Sequence, residues 1–305
     1  MNIRDDNYTH SETEFQEMWA LLRESSVMVA KPLNWLFARL EDWKYGGNSK
    51  RVKSDPSFFV KNVHLWRNDE KKLVGFCISE YGGNSIYLQI HPQDRGLEEA
   101  MYNWIQANWA QEKAYIETYA YDYDTTRQQV LTRLGYQDCG DNGYLRKYDV
   151  SQDYPAATLE PGFSIASLKE NPNVESHIEA VRNAFNRPSL DQEWFTSKTT
   201  APSYSFKWDL AVISPEGKHV AFCLSWLDLE HHVAELDPIG THSDYRQKGL
   251  AKAVITECFR RLKVSGIRYA YIGSAPEPYA SNRLYDSLHP IEKYQEHKWV
   301  KELKK

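Results

Sequence analysis

One six-residue pattern occurs twice in this chain. Val74-Gly75-Phe76-Cys77-Ile78-Ser79 is echoed by Val220-Ala221-Phe222-Cys223-Leu224-Ser225, an offset of 220 − 74 = 146. In a chain of 305 residues with 41% hydrophobic content, an echo that long implies two units of similar build, each able to fill its own core. Both copies follow a charged turn, Asn68-Asp69-Glu70-Lys71-Lys72 or Ser214-Pro215-Glu216-Gly217-Lys218, and open the second arm of a predicted β-hairpin. The first arms run from Ser57 to Trp66 and from Ser205 to Ile213. Another strand follows, Ser85 to Ile90 or His232 to Ile239, and then a glycine-bearing loop that opens a long amphipathic helix at Gly96 or Gly249. The offset between those glycines is 249 − 96 = 153, so the register drifts by a few residues, as loop insertions between equivalent elements produce. Each half then reads strand, short helix, final strands. These are Ala114 to Tyr119, Asp124 to Leu134 and Gln137 to Tyr148, against Tyr269 to Gly273, Tyr279 to Leu288 and Glu292 to Leu303.

Strands alternating with one or two helices predict an α/β or α+β fold in two tandem domains. The join falls in Ser151-Gln152-Asp153-Tyr154-Pro155-Ala156-Ala157-Thr158, before Leu159-Glu160-Pro161-Gly162, which places the domains at 1–150 and 159–305. A net charge of −5, with both signs interspersed, gives no footprint for nucleic acid or an anionic membrane. No apolar run approaches the roughly 18 residues of a membrane span and no leader pattern opens the chain, so the expectation is a cytoplasmic protein. Cys77, Cys139, Cys223 and Cys258 lack metal-ligand or disulfide-framework spacing. His231 and His232 are adjacent at the start of a predicted strand and so point to opposite faces, which reads as an exposed strand end; no metal is expected.

The chemistry is concentrated in Val233-Ala234-Glu235-Leu236-Asp237-Pro238-Ile239-Gly240-Thr241-His242-Ser243-Asp244-Tyr245-Arg246-Gln247-Lys248-Gly249-Leu250-Ala251, a strand, a loop and a helix start. Leu250, Val254, Cys258, Ile255, Phe259 and Leu262 recur at helical spacing on a wide face. The helix therefore begins near Gly249, where first-turn amides lack intrahelical acceptors and the dipole is positive, a setting that suits a phosphate. Gly249 permits close backbone approach, Ala251 leaves the first turn uncrowded, and Arg246 and Lys248 add positive charge. An ordinary glycine-initiated helix with a basic entrance is the bland alternative.

Arg246-Gln247-Lys248-Gly249-Leu250-Ala251 resembles the pyrophosphate signature of the GNAT acetyltransferase superfamily. The end of the preceding strand, Ile239-Gly240-Thr241, stands where that family hydrogen-bonds the pantetheine arm. Asn282-Arg283-Leu284-Tyr285 resembles the family's later helix with its Leu-Tyr pair, and the element order agrees. The resemblance implies two tandem GNAT-like domains, each a mixed, mostly antiparallel twisted sheet flanked by helices, with acetyl-CoA as co-substrate. The sequence departs from the family pattern at His289-Pro290, where Gly-Phe is common, which bears on the acceptor pocket more than on CoA.

An amine that attacks a thioester must shed a proton, since a lysine-like amine has a pKa of about 10.4. By resemblance the base is Glu235, 246 − 235 = 11 residues before Arg246, acting directly or through water. Asp237, two residues on, is expected to share its strand face. By the same resemblance Tyr285 is the acid that protonates the departing thiolate, and Asn282 contacts the cofactor or caps a backbone group. The plain readings of these residues are half-exposed strand carboxylates and a core aromatic.

In the first half the equivalent loop reads His91-Pro92-Gln93-Asp94-Arg95-Gly96-Leu97-Glu98-Glu99. Glu98 occupies the small-residue position, and a carboxylate there is expected to repel a diphosphate. Val130-Leu131 replaces the Leu-Tyr pair. The first half thus resembles a worn copy, a scaffold or acceptor-binding domain; a second active site with unusual phosphate contacts is the other reading. The acceptor that the resemblance implies is a primary amine on an unidentified small molecule or a peptide. A non-catalytic acyl-CoA sensor is the competing class, whereas a nucleotide-binding domain is disfavoured by the absence of its glycine-rich motifs. Oligomeric state is not legible.

Overall fold

The structure, a computed structural model, describes residues 4–110, 113–156 and 158–303. Its residues fall into two compact units. One is drawn from Met1–Trp43, Lys50–Tyr144 and Tyr294–Lys305, the other from Lys44–Ser49 and Leu145–Lys293. Among the described residues no helix is long and apolar enough to cross a membrane.

The first half of the chain forms β1 (Arg4–Asn7), α1 (Glu12–Met28), α2 (Phe37–Glu41), α3 (Ser49–Ser54), α4 (Phe58–Asn62), β2 (Val63–Arg67), β3 (Leu73–Ser79), β4 (Ile86–Ile90), α5 (Glu98–Trp109), β5 (Tyr115–Tyr121), α6 (Thr125–Arg133) and β6 (Gln137–Asp149). Strands β1-β2-β3-β4 make an antiparallel sheet in sequence order. Met101, Tyr102 and Ile105 of α5 pack on Cys77, Leu88 and Ile90 to form the core of this unit. A parallel bridge, Ser85↔Glu117, links the start of β4 to β5.

The second half forms β7 (Ser164–Ser167), α7 (Val174–Phe185), α8 (Gln192–Lys198), β8 (Asp209–Ile213), β9 (His219–Asp228), β10 (Val233–Thr241), α9 (Leu250–Val264), β11 (Tyr269–Ser274), α10 (Tyr279–Asp286) and β12 (Glu292–Glu302). Strand order is β11-β10-β9-β8-β7, antiparallel except for β10 with β11. The expected mixed, mostly antiparallel sheets flanked by helices are therefore present. Alternation along β9 builds the layers: Ala221 and Cys223 lie in the core that α9 covers with Val254, Ile255, Cys258 and Phe259. Phe222, between them, joins Ile178, Val181 and Phe195 of α7 and α8 on the other face. From Tyr294 onward β12 belongs to the first unit, pairing antiparallel with β5 from Glu296↔Tyr121 to Glu302↔Tyr115.

The repeat is visible in the hairpin turns. Lys71 and Gly217, related by 71 + 146 = 217, both adopt a left-handed backbone, with φ of 63° and 78°. Each turn closes the same way, Asn68 N–H donating to Lys72 O and Ser214 N–H to Lys218 O.

Three local expectations need correction. Residues 58–62, expected in a strand, form α4 with Phe58 and Phe59 both buried; a short apolar run without alternation fits helix or strand, and tertiary packing selects the helix here. Strand β8 begins at Asp209 rather than Ser205, since Trp208 N–H donates back to Ser205 O and turns the chain there. His231 and His232 sit in the turn before β10, not in the strand. His232 is left-handed at φ 58°, and the His231 ring and backbone N–H both engage Asp228.

Candidate active site

Strands β10 and β11 pair at Val233↔Tyr269, Ala234↔Ala270 and Glu235↔Tyr271, and among the described residues their pairing extends no further. Yet β10 runs on to Thr241 and β11 to Ser274, so the two strands part beyond Glu235. The cause lies in β10. Its register with β9 steps from Leu236↔Ser225 to Ile239↔Cys223, a bulge that bends a strand and increases its twist. The Trp226 indole N–H pins the bulge by donating to Asp237 O at 2.6 Å. Ile239, Gly240 and Thr241 remain paired to β9, and their opposite backbone edge faces the gap. Glu235 is half-buried at the last paired position and Asp237 is exposed in the bulge. Two-residue periodicity therefore does not carry from one to the other, contrary to the expectation of a shared face.

After β10, His242 caps a short turn over Ser243–Tyr245. Gln247 and Gly249 are both left-handed, at φ 65° and 74°. Left-handed residues at such close spacing turn successive amides into one concavity, a backbone arrangement that suits anions. No side chain caps the first turn of α9, and a Cβ added at Gly249 would meet open space. Leu250 is buried in the core, Ala251 is half-buried, and Gln247 and Lys248 are exposed. The Lys248 ammonium lies 5.8 Å from the Phe163 ring and 5.7 Å from the Tyr245 ring. Arg246 is exposed and braces the loop. Its guanidinium donates to Thr241 O at 3.3 Å and to Ala184 O at 3.1 Å, while Ser243 N–H donates to Asn183 Oδ1 at 2.6 Å. The loop is thereby fastened to the last turn of α7.

Helix α10 brings Tyr285 and Asn282 into the same unit, each 7% exposed. Burial, and secondarily the neighbouring Cys223 and Asp237, push the Tyr285 phenol well above the usual tyrosine range, against the pull of Arg146. The phenol therefore stays protonated at any working pH. Asn282 donates to Ala275 O at 3.0 Å and Pro276 O at 2.9 Å, and accepts from Ser274 Oγ at 2.7 Å. Its amide is a staple between β11 and α10.

Sequence reasoning missed Arg146. This residue near the end of β6 has a fully buried side chain whose Nε donates to Asp286 Oδ1 at 2.6 Å, Nη1 to Ser274 Oγ at 2.9 Å and Nη2 to Asn282 Oδ1 at 2.9 Å. The one available signal was alternation, which puts Arg146 on the same face as Tyr148, itself fully buried.

The first unit arranges the equivalent loop differently. Residues Pro92–Leu97 form a tight 3-10 turn that runs into α5 at Glu98, and Gly96 is not left-handed, so the expectation that it opens the helix as Gly249 does is corrected. Glu98 has no exposed surface. Its carboxylate accepts from Arg95 Nε at 2.6 Å and Arg127 Nε at 3.1 Å, and Arg95 also donates to Asp124 at 2.7 Å. The carboxylate expected to repel an anion is instead an anion already neutralised by two guanidinium groups.

Residues 177–289 match the acetyltransferase (GNAT) family model, a span from α7 through α10 that contains the site but not Arg146. No curated protein matches the chain in sequence. Among solved structures, a tandem GNAT protein from the clavulanic acid biosynthesis pathway is similar over 99% of this chain and 98% of its own, with TM-score 0.66 and 10% identity. A GCN5-related N-acetyltransferase from Sphaerobacter thermophilus covers 98% of this chain and 95% of its own, with TM-score 0.62 and 17% identity. A GNAT-family acetyltransferase from Colwellia psychrerythraea covers 100% of both, with TM-score 0.60 and 14% identity. Identities this low speak for the fold and not for a shared substrate. Residues 177–289 are thus similar to the acetyltransferase (GNAT) family, and the chain as a whole has the two-domain fold of a tandem GNAT protein.

Proposed function

We propose that the second unit moves an acetyl group from acetyl-CoA to the nitrogen of a primary amine, with Glu235 as base and Tyr285 as acid. The observation that carries this reading is one juxtaposition: β10 parts from β11 just beyond Glu235, and the same strand leads into the uncapped, left-handed entrance of α9. The residues present fit such a donor. The amides from Gln247 to Ala251 would hold its diphosphate, the open edge of Ile239, Gly240 and Thr241 would hydrogen-bond its arm, and Lys248 adds charge at the entrance. Arg246 supports that loop through Thr241 and Ala184.

Acetyl-CoA, when bound, supplies an acetyl carbon activated as a thioester. Glu235, directly or through one water, takes the proton that the amine nitrogen must lose. As the N–C bond forms and the C–S bond breaks, the electron pair leaves with sulfur, and the Tyr285 phenol delivers its proton there. Both groups return to their starting charge by exchange with solvent. Carboxylates at Glu235 and Asp237 suit an acceptor that arrives as a cation, a small-molecule amine or a peptide amine. The first unit, with Glu98 already paired, is read as holding no CoA.

Calorimetry with acetyl-CoA and release of free thiol across a panel of primary amines test this together. The expected result is saturable binding, with thiol released in the presence of at least one amine. Gly249→Glu is expected to weaken binding by roughly 10- to 100-fold, combining ~1–2 kcal/mol of left-handed backbone strain with repulsion at the helix dipole. Binding without turnover for any amine would remove the catalytic roles; absence of binding would remove the whole assignment.

A further inference from the structure

We propose that Arg146 is a positioning residue for Tyr285, fixing the helix that carries the proton donor. The inference rests on the reading of Tyr285 as the acid, and Arg146 stands 177 − 146 = 31 residues before the segment that the family model matches.

A fully buried guanidinium is a costly way to hold a helix. Desolvating an ion costs several kcal/mol, and a well-packed apolar side chain of similar volume would stabilise the fold as well or better. What a guanidinium adds is direction, because its planar fork fixes several partners at set angles. Here the fork spans the turn that places α10. Ser274 closes β11, Asn282 and Asp286 lie four apart on α10, and Tyr285 sits between those two in sequence. Asn282 passes the constraint on by holding the carbonyls of Ala275 and Pro276. Two residues along the same strand, the Tyr148 hydroxyl donates to Tyr285 O at 2.9 Å, so β6 grips α10 at the backbone of the acid itself. The hydrogen bond from Arg146, and then that from Lys293, hold the Asp286 carboxyl below the usual carboxylate range, which keeps this arm charged.

The guanidinium also lies 5.8 Å from the centre of the Tyr285 ring. When the phenolic proton passes to sulfur, the tyrosine is left as a phenolate facing a fixed positive charge. Arg146 is engaged with Asp286, Ser274 and Asn282, so its effect is exerted through the helix that carries the tyrosine.

A double-mutant cycle with Tyr285→Phe tests this, with kcat, KM for acetyl-CoA and thermal melts for each variant. Tyr285→Phe is expected to lower kcat by ~100-fold. Arg146→Met is expected to lower kcat by ~10- to 100-fold, as small misplacements of reacting groups do, with KM for acetyl-CoA held within about twofold. The double variant is expected to be no slower than Tyr285→Phe, since Arg146 has nothing left to position. Asp286→Asn, which removes one arm at a side chain 45% exposed, is expected to cause a smaller loss in kcat that also vanishes in the Tyr285→Phe background. If Arg146→Met does not fold, Asp286→Asn decides within the same cycle. Losses that multiply in the double variant, or that fall on KM, overturn the positioning role while leaving the acid in place. A Tyr285→Phe variant at full kcat overturns the acid and this inference with it, a distinguishable outcome.

Discussion

Gly240 and Gly249 belong to one motif but are glycines for different reasons. A Cβ on Gly240 would come within 2.5 Å of Phe222 Cζ and 3.0 Å of Ala184 Cβ, so the missing side chain is what lets α7 close on β10. Gly249 meets open space, and what it requires is its left-handed backbone. Gly240→Ala should therefore act on stability, costing ~1–3 kcal/mol as overpacking does and lowering Tm by several degrees. An unchanged melt would show that Phe222 and α7 yield to the added methyl at no cost. Asn282 makes a similar point. It is a polar residue in the right place for a ligand, yet its amide is occupied by Ala275, Pro276 and Ser274.

At the scale of elements, the layer of α7 and α8 over β8 and β9 carries buried polar groups that tie fold to pH. His219 is 2% exposed, its ring near Asn171 Oδ1 at 3.4 Å and 5.7 Å from that of His177, while the His177 Nε2 lies 3.4 Å from Asp209 Oδ1. Burial, and then the charge that His177 can carry, hold His219 down to about 4, with Asp209 pulling weakly the other way. A histidine whose folded pKa lies below its unfolded value of about 6.5 binds its proton better in the unfolded chain. Its contribution is complete above that value and is lost as pH falls from there toward 4. Thermal melts are expected to drop over this window by an amount on the order of 2 kcal/mol, and His219→Gln should flatten the decline. A profile equally steep in that variant would assign the loss to other groups. Since Asn183 and Arg246 fasten the end of α7 to the loop before Gly249, acetyl-CoA binding is expected to weaken in step.

For the whole molecule, the two loops predict one acetyl-CoA per chain. A calorimetric stoichiometry near one, abolished by Gly249→Glu, fits the paired Glu98; a value near two would show that Arg95 and Arg127 release it. The division between sequence and tertiary structure follows from the range of the forces concerned. The repeat, the hairpin turns, the face of α9 and the glycine at its entrance are written in short-range signals: periodicity, turn chemistry and the backbone freedom of glycine. Hence β5, β11 and α9 stand within a residue or two of where spacing put them. Residues 58–62 were misread because an apolar run without alternation fits helix or strand equally, and only its packing chose. The bulge that parts β10 from β11, the pairing of Glu98 and the unit that receives β12 left no local mark. Arg146 is the extreme case, with partners 128, 136 and 140 residues away. Periodicity can tell which face a residue shares. It cannot tell that a charge will be buried, because burial of a charge is decided by partners that only the folded chain brings within hydrogen-bonding distance.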